Sequence, residues 1–510
     1  MTELLTDWVD YHARHRPESI AVATVEPDGS NFANLTWAEL EHRVARLARV
    51  LLDAGVARGD RVALIVENHP RIFEVQFAVM RIGAIMVPLN WRLAEPELRE
   101  QLVDAAPVVF IHDARWTDLA GRLADAVRLR MVLSWADGSY EQAIAAAGEP
   151  IGGGELDPDA VIQLLYTSGT TGRPKGALCT NRTIVAQAQN LAHSSRMAEP
   201  GGHHLNIVPL FHAGGLNVFS NAMLFWGGRV TTVGRFDAKT ALRLLNDPDL
   251  AVTHLCGVLQ MYEWMTALPE FGQSSFPTLR TVLFGGWGPS AAGIYAAWAE
   301  RGIWVQLSYG ATELGPNVSI LSRPDPSAAE RGTSGTILPH TRIRIVDPDG
   351  VDVAAGESGE IWVRGPGVIP GYWHQDPAES FTDGWFRTGD AGRVGDDAQL
   401  YVVGRVRERY RTGGENVYPA EVETVLAGLP GVAELAVLGI PDEKWGETGL
   451  VAVVPEDGVT ITLEDVRAFA DGKLARFKLP TELIVLSALP RSATEKISRP
   501  AIRESWERRD

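Results

Sequence analysis

The sequence predicts an α/β protein with a large N-terminal domain and a small α+β C-terminal domain, and three features predict it. Helical and strand-like patterns alternate over residues 36–150 and again from about Ala160 to Leu321. From about Gly335 to Val403 the chain turns to short strands separated by turn signals. After Gly404-Arg405 the texture changes once more, into a mixed segment of roughly 100 residues, the size of a small domain.

In the first series, Arg43–Ala54 carries apolar residues at helical spacing and Arg61–Val66 is a continuous apolar strand. A second helix is expected over Ile72–Ile82 and a second strand over Ala84–Pro88. This alternation specifies a parallel sheet with helices on its faces. The later strands, Thr341–Val346, Gly359–Val363 and Leu400–Val403, are punctuated by Asp347-Pro-Asp-Gly350 and should pair antiparallel. Beyond them a helix is expected at Pro419–Leu426, strands at Val432–Leu438 and Gly449–Val454, and a helix at Leu463–Leu474. The division is therefore 1–404 and 408–510, with the boundary at 405–407.

At 510 residues the chain is too long for one ordinary core. Hydrophobic residues make up 45% and charged residues 22%, the balance of a globular protein in water. A net charge of −17 leaves no broad basic surface, so no nucleic-acid partner is expected. The first residues lack a basic-then-apolar leader, and the apolar run Phe77–Leu89 is broken by Arg81. A cytoplasmic protein without an integral membrane segment follows as the expectation. Two cysteines, Cys179 and Cys256, exclude a disulfide framework and are expected as core filler. His203-His204 has no Cys or carboxylate at ligand spacing and is expected in a solvated loop.

The most informative stretch is Tyr166-Thr-Ser-Gly-Thr-Thr-Gly-Arg-Pro-Lys-Gly176, which follows the apolar run Val161–Leu165. Gly169 and Gly172 let backbone N–H groups converge on an anion. Thr167, Ser168, Thr170 and Thr171 add hydroxyl donors, and Lys175 adds a point charge suited to phosphate. It is not a Walker A loop, because Pro174 precedes the lysine and β-like Ala177-Leu-Cys follows instead of a helix. An ordinary surface turn would need neither the hydroxyl run nor the Pro-Lys-Gly ending.

This stretch resembles the signature of the adenylate-forming superfamily: acyl-CoA synthetases, luciferases and peptide-synthetase adenylation domains. Further blocks occur in the family's order over nearly the whole chain, closest to the acyl-CoA synthetases. The resemblance implies two stacked αβαβα-type subdomains, a small β-barrel-like segment and a mobile C-terminal domain. It also implies ATP, Mg²⁺ and coenzyme A as cofactors, a small-molecule carboxylic acid as substrate, and allows a homodimer.

Within Tyr309-Gly-Ala-Thr-Glu313, a hydroxyl beside a carboxylate suits a Mg²⁺–phosphate site. The family implies that Thr312 touches the α-phosphate, that Glu313 with Thr167 serves the metal, and that Tyr309, Gly310 and Ala311 lie beside adenine. Standing alone, Glu313 would read equally well as a solvated loop acid. In Gly384-Trp-Phe-Arg-Thr-Gly-Asp390 an acid follows a Thr-Gly turn, and the resemblance gives Asp390 to the ribose hydroxyls. Val402 and Arg405 follow, Arg405 facing ribose or phosphate; a structural Arg–Asp pair is the alternative.

Arg411-Thr-Gly-Gly-Glu-Asn-Val-Tyr-Pro-Ala-Glu421 is a glycine turn entering a helix at Pro419. By resemblance Gly413, Gly414 and Glu415 line the tunnel for pantetheine, while Glu421 and Glu423 are structural. Trp445 and Glu447 belong to the face offered to CoA; Arg476 and Lys478 meet CoA phosphates or solvent. In Leu489-Pro-Arg-Ser-Ala-Thr-Glu-Lys-Ile-Ser-Arg499, Lys496 matches the family's catalytic lysine. Its ammonium would bridge the acyl and phosphoryl oxygens as charge builds on them. Two positions depart from the family pattern: Glu495 replaces a glycine before that lysine, and Arg407 replaces the usual Asp or Lys of the hinge.

Phe211-His-Ala-Gly-Gly-Leu-Asn-Val-Phe219 corresponds to one wall of the acyl pocket. Relatives that activate amino acids place an Asp where His212 stands, so an α-ammonium would be buried unpaired here and an amino acid is disfavoured. Gly286, Trp287 and Gly288, with Gly310–Pro316, form the other wall. Trp287 replaces a small residue and would shorten the pocket or stack on a flat acid; adenine contact or core packing are the alternatives. The expectation is an ATP-dependent carboxylate–CoA ligase for a small, medium-chain or aromatic/alicyclic acid. Transfer to a carrier protein, luciferase-like oxidation and a non-catalytic nucleotide-binding module are the rivals. The last is disfavoured because Lys496, Thr312 and Glu313 are all present.

Overall fold

A computed structural model describes residues 5–25, 32–167, 174–285, 291–323, 325, 327, 331–412, 415–491 and 497–509. Two sheets carry the N-terminal part. The first has six strands in the order Lys175–Thr180, Val161–Thr167, Ile85–Pro88, Arg61–Ile65, Val109–His112 and Met131–Ser134. Its members are parallel except for the hairpin formed by the first two. The runs VALI and VFI are buried on both faces, which is why they lack polar alternation. The helix Trp37–Asp53 begins six residues before the expected Arg43, because Thr36 and Glu39 form a reciprocal capping box.

The second sheet has nine strands, centred on parallel neighbours Trp304–Tyr309, Thr281–Gly285, His254–Val258, His203–Asn206 and Arg229–Val233. Ile20–Val25 and Phe32–Thr36, from near the N-terminus, complete one edge. This corrects the expected partition in one place: the Val161–Thr167 strand belongs to the first sheet although a second series was expected from Ala160. Residues 20–36, which the sequence left unassigned, belong to the second. Alternation of elements reports strand and helix locally; it carries no information about which sheet edge a strand joins.

His203 and His204 are a second correction. They lie in a buried strand, 4% and 1% exposed, and not in a solvated loop. Their ring nitrogens meet the Leu250 and His254 carbonyls and the Thr231 hydroxyl, so neutral imidazoles are hydrogen-bonded without water.

Thr336–Ile337 still belongs to the nine-stranded sheet, and residues 342–405 form a five-stranded antiparallel sheet that includes Arg342–Val346, Gly359–Arg364, Trp385–Val394 and Leu400–Arg405. A further sheet, built on the Val432–Asp442/Gly446–Pro455 hairpin, carries the C-terminal domain with the helices Pro419–Leu426, Leu463–Ala470 and Arg499–Glu507. Glu421 pairs with Lys478, and Glu423 with Arg499, so both acids are structural and Lys478 is engaged. Among the described residues no helix is long and apolar enough to cross a membrane.

Candidate active site

A cavity of about 540 Å³ opens where the parallel strands of the nine-stranded sheet end. Val208 lies just past one strand, and Cys256–Val258, Leu283, Gly285, Ser308 and Tyr309 lie at the ends of the next three. Crevices at the carboxyl ends of parallel strands are the usual ligand sites of open α/β sheets. Cys256, expected as core filler, is buried and also faces this cavity; burial pushes its thiol up to about 12. Cys179 is core as expected.

One side of the cavity is polar. Asp390 sits in the Trp385–Val394 strand, where the expected Thr-Gly turn is instead a β-bulge: pairing with Gly359–Arg364 shifts register between Glu360 and Trp362. Gly389 has φ +68°, a left-handed conformation that costs glycine little, and its N–H donates to Glu360. A bulge re-aims the side chain that follows it, and here that side chain is Asp390. Arg405 Nε lies 2.9 Å from Asp390 Oδ1, and Tyr309 Oη donates to Oδ2 at 2.7 Å. Burial raises the Asp390 pKa, while Arg405 and the Tyr309 hydroxyl pull it back. Burial and the adjacent carboxylate in turn push the Tyr309 phenol well above its usual value.

Beside this pair is a second cluster. In the hairpin Thr167 pairs with Lys175, so the ends of the hydroxyl-rich loop are neighbours. Thr167 Oγ1 donates to Glu313 Oε1 at 3.3 Å, across 146 residues of sequence. Tyr372 Oη donates to the same oxygen at 2.7 Å, and Lys175 Nζ stands 5.2 Å from the Tyr372 ring centroid. Gly310 is required next to this cluster, since a Cβ there would lie 1.7 Å from the Pro316 carbonyl. Among the described residues no group of three or more His, Cys, Asp or Glu is arranged to hold a metal. The donor set, one carboxylate and one hydroxyl, fits a Mg²⁺ that draws its remaining oxygens from phosphate and water, and the lysine beside it suits the phosphate.

The structure thus brings His212, Tyr309, Gly310, Ala311, Thr312, Asp390, Val402 and Arg405 to one cavity. Thr167, Lys175 and Glu313 gather beside it. His212 is exposed at its rim, with Nδ1 accepting the Gly214 N–H at 3.1 Å. Glu415 lies apart, exposed in the short strand Glu415–Val417 of the C-terminal sheet. Ser168, Gly169, Thr170, Thr171, Gly172, Gly286, Trp287, Gly288, Gly413, Gly414, Glu495 and Lys496 lie outside the described residues. Tyr372 is absent from the sequence-based set. Its placement comes from backbone bonds that tie Gly371 and Trp373 to the edge strand Lys175–Thr180, a long-range pairing with no local signature.

Fold and cavity define an α/β enzyme in which a hydroxyl-bearing hairpin lies beside a cavity whose lining includes Glu408 and Ala420 from the C-terminal side. Residues 9–373 match the AMP-binding enzyme family, and residues 421–496 match the AMP-binding enzyme C-terminal domain. A feruloyl-CoA synthase from Amycolatopsis sp is 37% identical over 504 residues, 98% of this chain and 99% of that protein. An indoleacetate–CoA ligase from Aromatoleum aromaticum is 35% identical over 510 residues, covering 98% of each chain. ATP-bound MatB from Rhodopseudomonas palustris superposes with a TM-score of 0.84 at 30% identity over 99% of both chains. The chain belongs to the AMP-binding enzyme family of the adenylate-forming superfamily and is an AMP-forming acyl-CoA synthetase.

Proposed function

We propose that this enzyme joins a neutral monocarboxylic acid, with an aromatic or medium-length apolar frame, to coenzyme A through an acyl-adenylate. The observation that carries this reading is the lining of the cavity. Arg405 is the one Lys or Arg among its described residues, and Arg405 is already paired with Asp390. Away from that pair Val208, Ala213, Val218, Cys256 and Leu283 make an apolar part of the wall, and His212, Ser308, Thr312, Asn317, Ser334 and Glu408 make its polar part. A second carboxylate or an ammonium set against the apolar part would be buried without a partner, at a cost of several kcal/mol. The feruloyl- and indoleacetate-activating relatives support an aromatic frame.

In this reading Asp390 accepts the ribose hydroxyls, and the hairpin with Lys175 and Thr312 surrounds the phosphates. A substrate carboxylate oxygen attacks the α-phosphorus, the bond to pyrophosphate breaks, and Lys496 stabilises the charge that builds on the oxygens. Bound beside Glu313 and Thr167, Mg²⁺ would neutralise phosphate charge. Residues 408–510 then turn about the 405–407 hinge, and Gly413 and Gly414 line the path of the CoA thiol to the acyl carbon. AMP leaves. A cytoplasmic location fits the supply of ATP and CoA.

The test is chromatography of AMP and thioester products from ATP, Mg²⁺ and a panel of acids, with and without CoA. The panel runs from acetate to palmitate and includes benzoate, cinnamates, cyclohexane carboxylate and a dicarboxylate. Matched AMP and acyl-CoA from an aromatic or medium-chain acid is the expected result. Turnover confined to the dicarboxylate would overturn the substrate class, and adenylate without thioester would overturn CoA as acceptor.

A further inference from the structure

A ring of four buried amides joins the strand entering the hydroxyl-rich loop to the wall of the acyl cavity. Gln163 lies in the Val161–Thr167 strand and Gln76 on the helix Arg71–Ile82, both around the six-stranded sheet. Asn217 lies in the π-helical turn Gly214–Ser220, and Asn221 opens the helix Asn221–Phe225 that follows it. Gln163 Nε2 donates to Gln76 Oε1 at 2.8 Å, and Gln76 Nε2 donates to Asn221 Oδ1 at 2.6 Å. Asn221 Nδ2 donates to Asn217 Oδ1 at 2.7 Å, and Asn217 Nδ2 closes the circuit on Gln163 Oε1 at 2.8 Å. A cross-bond runs from Asn221 Nδ2 to Gln76 Oε1 at 3.2 Å. Gln76, Gln163 and Asn221 are 0% exposed and Asn217 is 5% exposed, so the ring is satisfied by itself alone.

An apolar contact would fill this space with less desolvation, but it would not fix direction. A closed amide circuit stays satisfied only while all four members keep hydrogen-bond distance, so it holds its four elements in a single register. Both ends of this register lead to the site. Asn217 is followed by Val218, which lines the cavity from a turn widened to π geometry. The Gly215 carbonyl of that turn is held by Asn206 and Ser220. Gln163 lies four residues before Thr167 on the same face of one strand, and Thr167 reaches Glu313.

We propose that Gln163 and Asn217 are positioning residues for adenylation, whose amide ring sets the acyl-pocket wall against the phosphate-loop strand and so presents the carboxylate to the α-phosphate. Before the acyl–phosphate bond exists, acid and ATP are separate molecules, and their approach depends on the two walls keeping register. Afterwards the bond itself fixes their relation. The ring therefore matters to the first half-reaction and much less to attack by the CoA thiol. The proposal rests on assigning the loop after Thr167 to the triphosphate.

The experiment compares the parent with Gln163→Leu and with the double variant Gln163→Leu/Asn217→Leu. The single change orphans buried amide groups. The double change leaves Gln76 and Asn221 bonded to each other in both directions, so no polar group is stranded and stability should return toward the parent's. Acid-dependent ATP–pyrophosphate exchange, thiolysis of the synthetic acyl-adenylate and thermal unfolding are measured with the fastest acid of the panel. The expected double variant unfolds near the parent's temperature, loses on the order of 10²-fold in exchange with a raised KM for the acid, and keeps thiolysis within about threefold. Parent-like exchange, equal loss of both half-reactions, or a double variant that does not fold would each overturn the proposal. Lys175→Ala separates the premise: unchanged exchange in that enzyme would reject the phosphate assignment itself.

Discussion

Tyr309 donates its hydroxyl hydrogen to Asp390 at 2.7 Å, and Arg405 holds the other carboxylate oxygen at 2.9 Å. The carboxylate is thus aimed from two sides, on a strand whose bulge turns it into the cavity. A carboxylate held in this way can accept two ribose hydroxyls without reorganising. Asp390→Ala should raise the KM for ATP by on the order of 10- to 10²-fold, the worth of hydrogen bonds to a charged acceptor. Initial-rate measurements against ATP would check this, and an unchanged KM would leave the Arg–Asp pair a purely structural one.

Glu313 accepts from both Thr167 and Tyr372. Removing its charge with Glu313→Gln should cost on the order of 10²–10³ in adenylation, as for other preorganised electrostatic groups. Tyr372→Phe keeps the carboxylate but frees its oxygen, so the loss should be smaller and should show as a higher Mg²⁺ requirement. Mg²⁺ titrations of pyrophosphate exchange would separate the two variants.

Lys496→Ala should abolish formation of the adenylate and spare thioester formation from synthetic acyl-adenylate. In the proposed cycle the lysine acts while charge develops on the phosphoryl oxygens and not when the thiol attacks. Loss of both half-reactions would contradict that division.

Trp287→Ala should extend activity toward longer or bulkier acids if the indole shortens the pocket. The acid panel repeated on this variant decides it, and an unchanged profile would move Trp287 away from the acyl chain.

His203, His204 and His254 are buried and neutral; burial drops each to about 3 from an ordinary 6.5. As pH falls below 6.5 the unfolded chain takes up protons that the folded chain refuses. Stability is therefore full above that pH and declines beneath it, by about 1.4 kcal/mol per pH unit for each histidine. Denaturant midpoints should fall steadily from pH 7 to pH 5. A flat profile would mean that these rings are protonated in the fold.

Most elements near the site are legible locally. The helix Pro419–Leu426 falls on its expected bounds because Pro419 marks its first turn, and Val161–Thr167 extends its expected apolar run by two residues. The buried His203–Asn206 strand is missed because histidine pairs look polar in a sequence, while their burial depends on carbonyls and a hydroxyl supplied by other strands. Tyr372 is missed for a similar reason: it reaches Glu313 only because residues 371–373 bond to the edge strand Lys175–Thr180.

By itself the sequence determined the order of α/β and antiparallel segments and the family to which its motifs point. Periodicity and motif spacing are local properties, written within one or two turns or strands. Only the tertiary structure decided that Val161–Thr167 joins the first sheet, that Asp390 meets Tyr309, and that Gln163 closes a ring with Gln76, Asn221 and Asn217. Apart from the Asn217–Asn221 bond, those relations join residues tens of positions apart or more. They exist because sheet order and close packing leave each buried polar group a single place to find its partner.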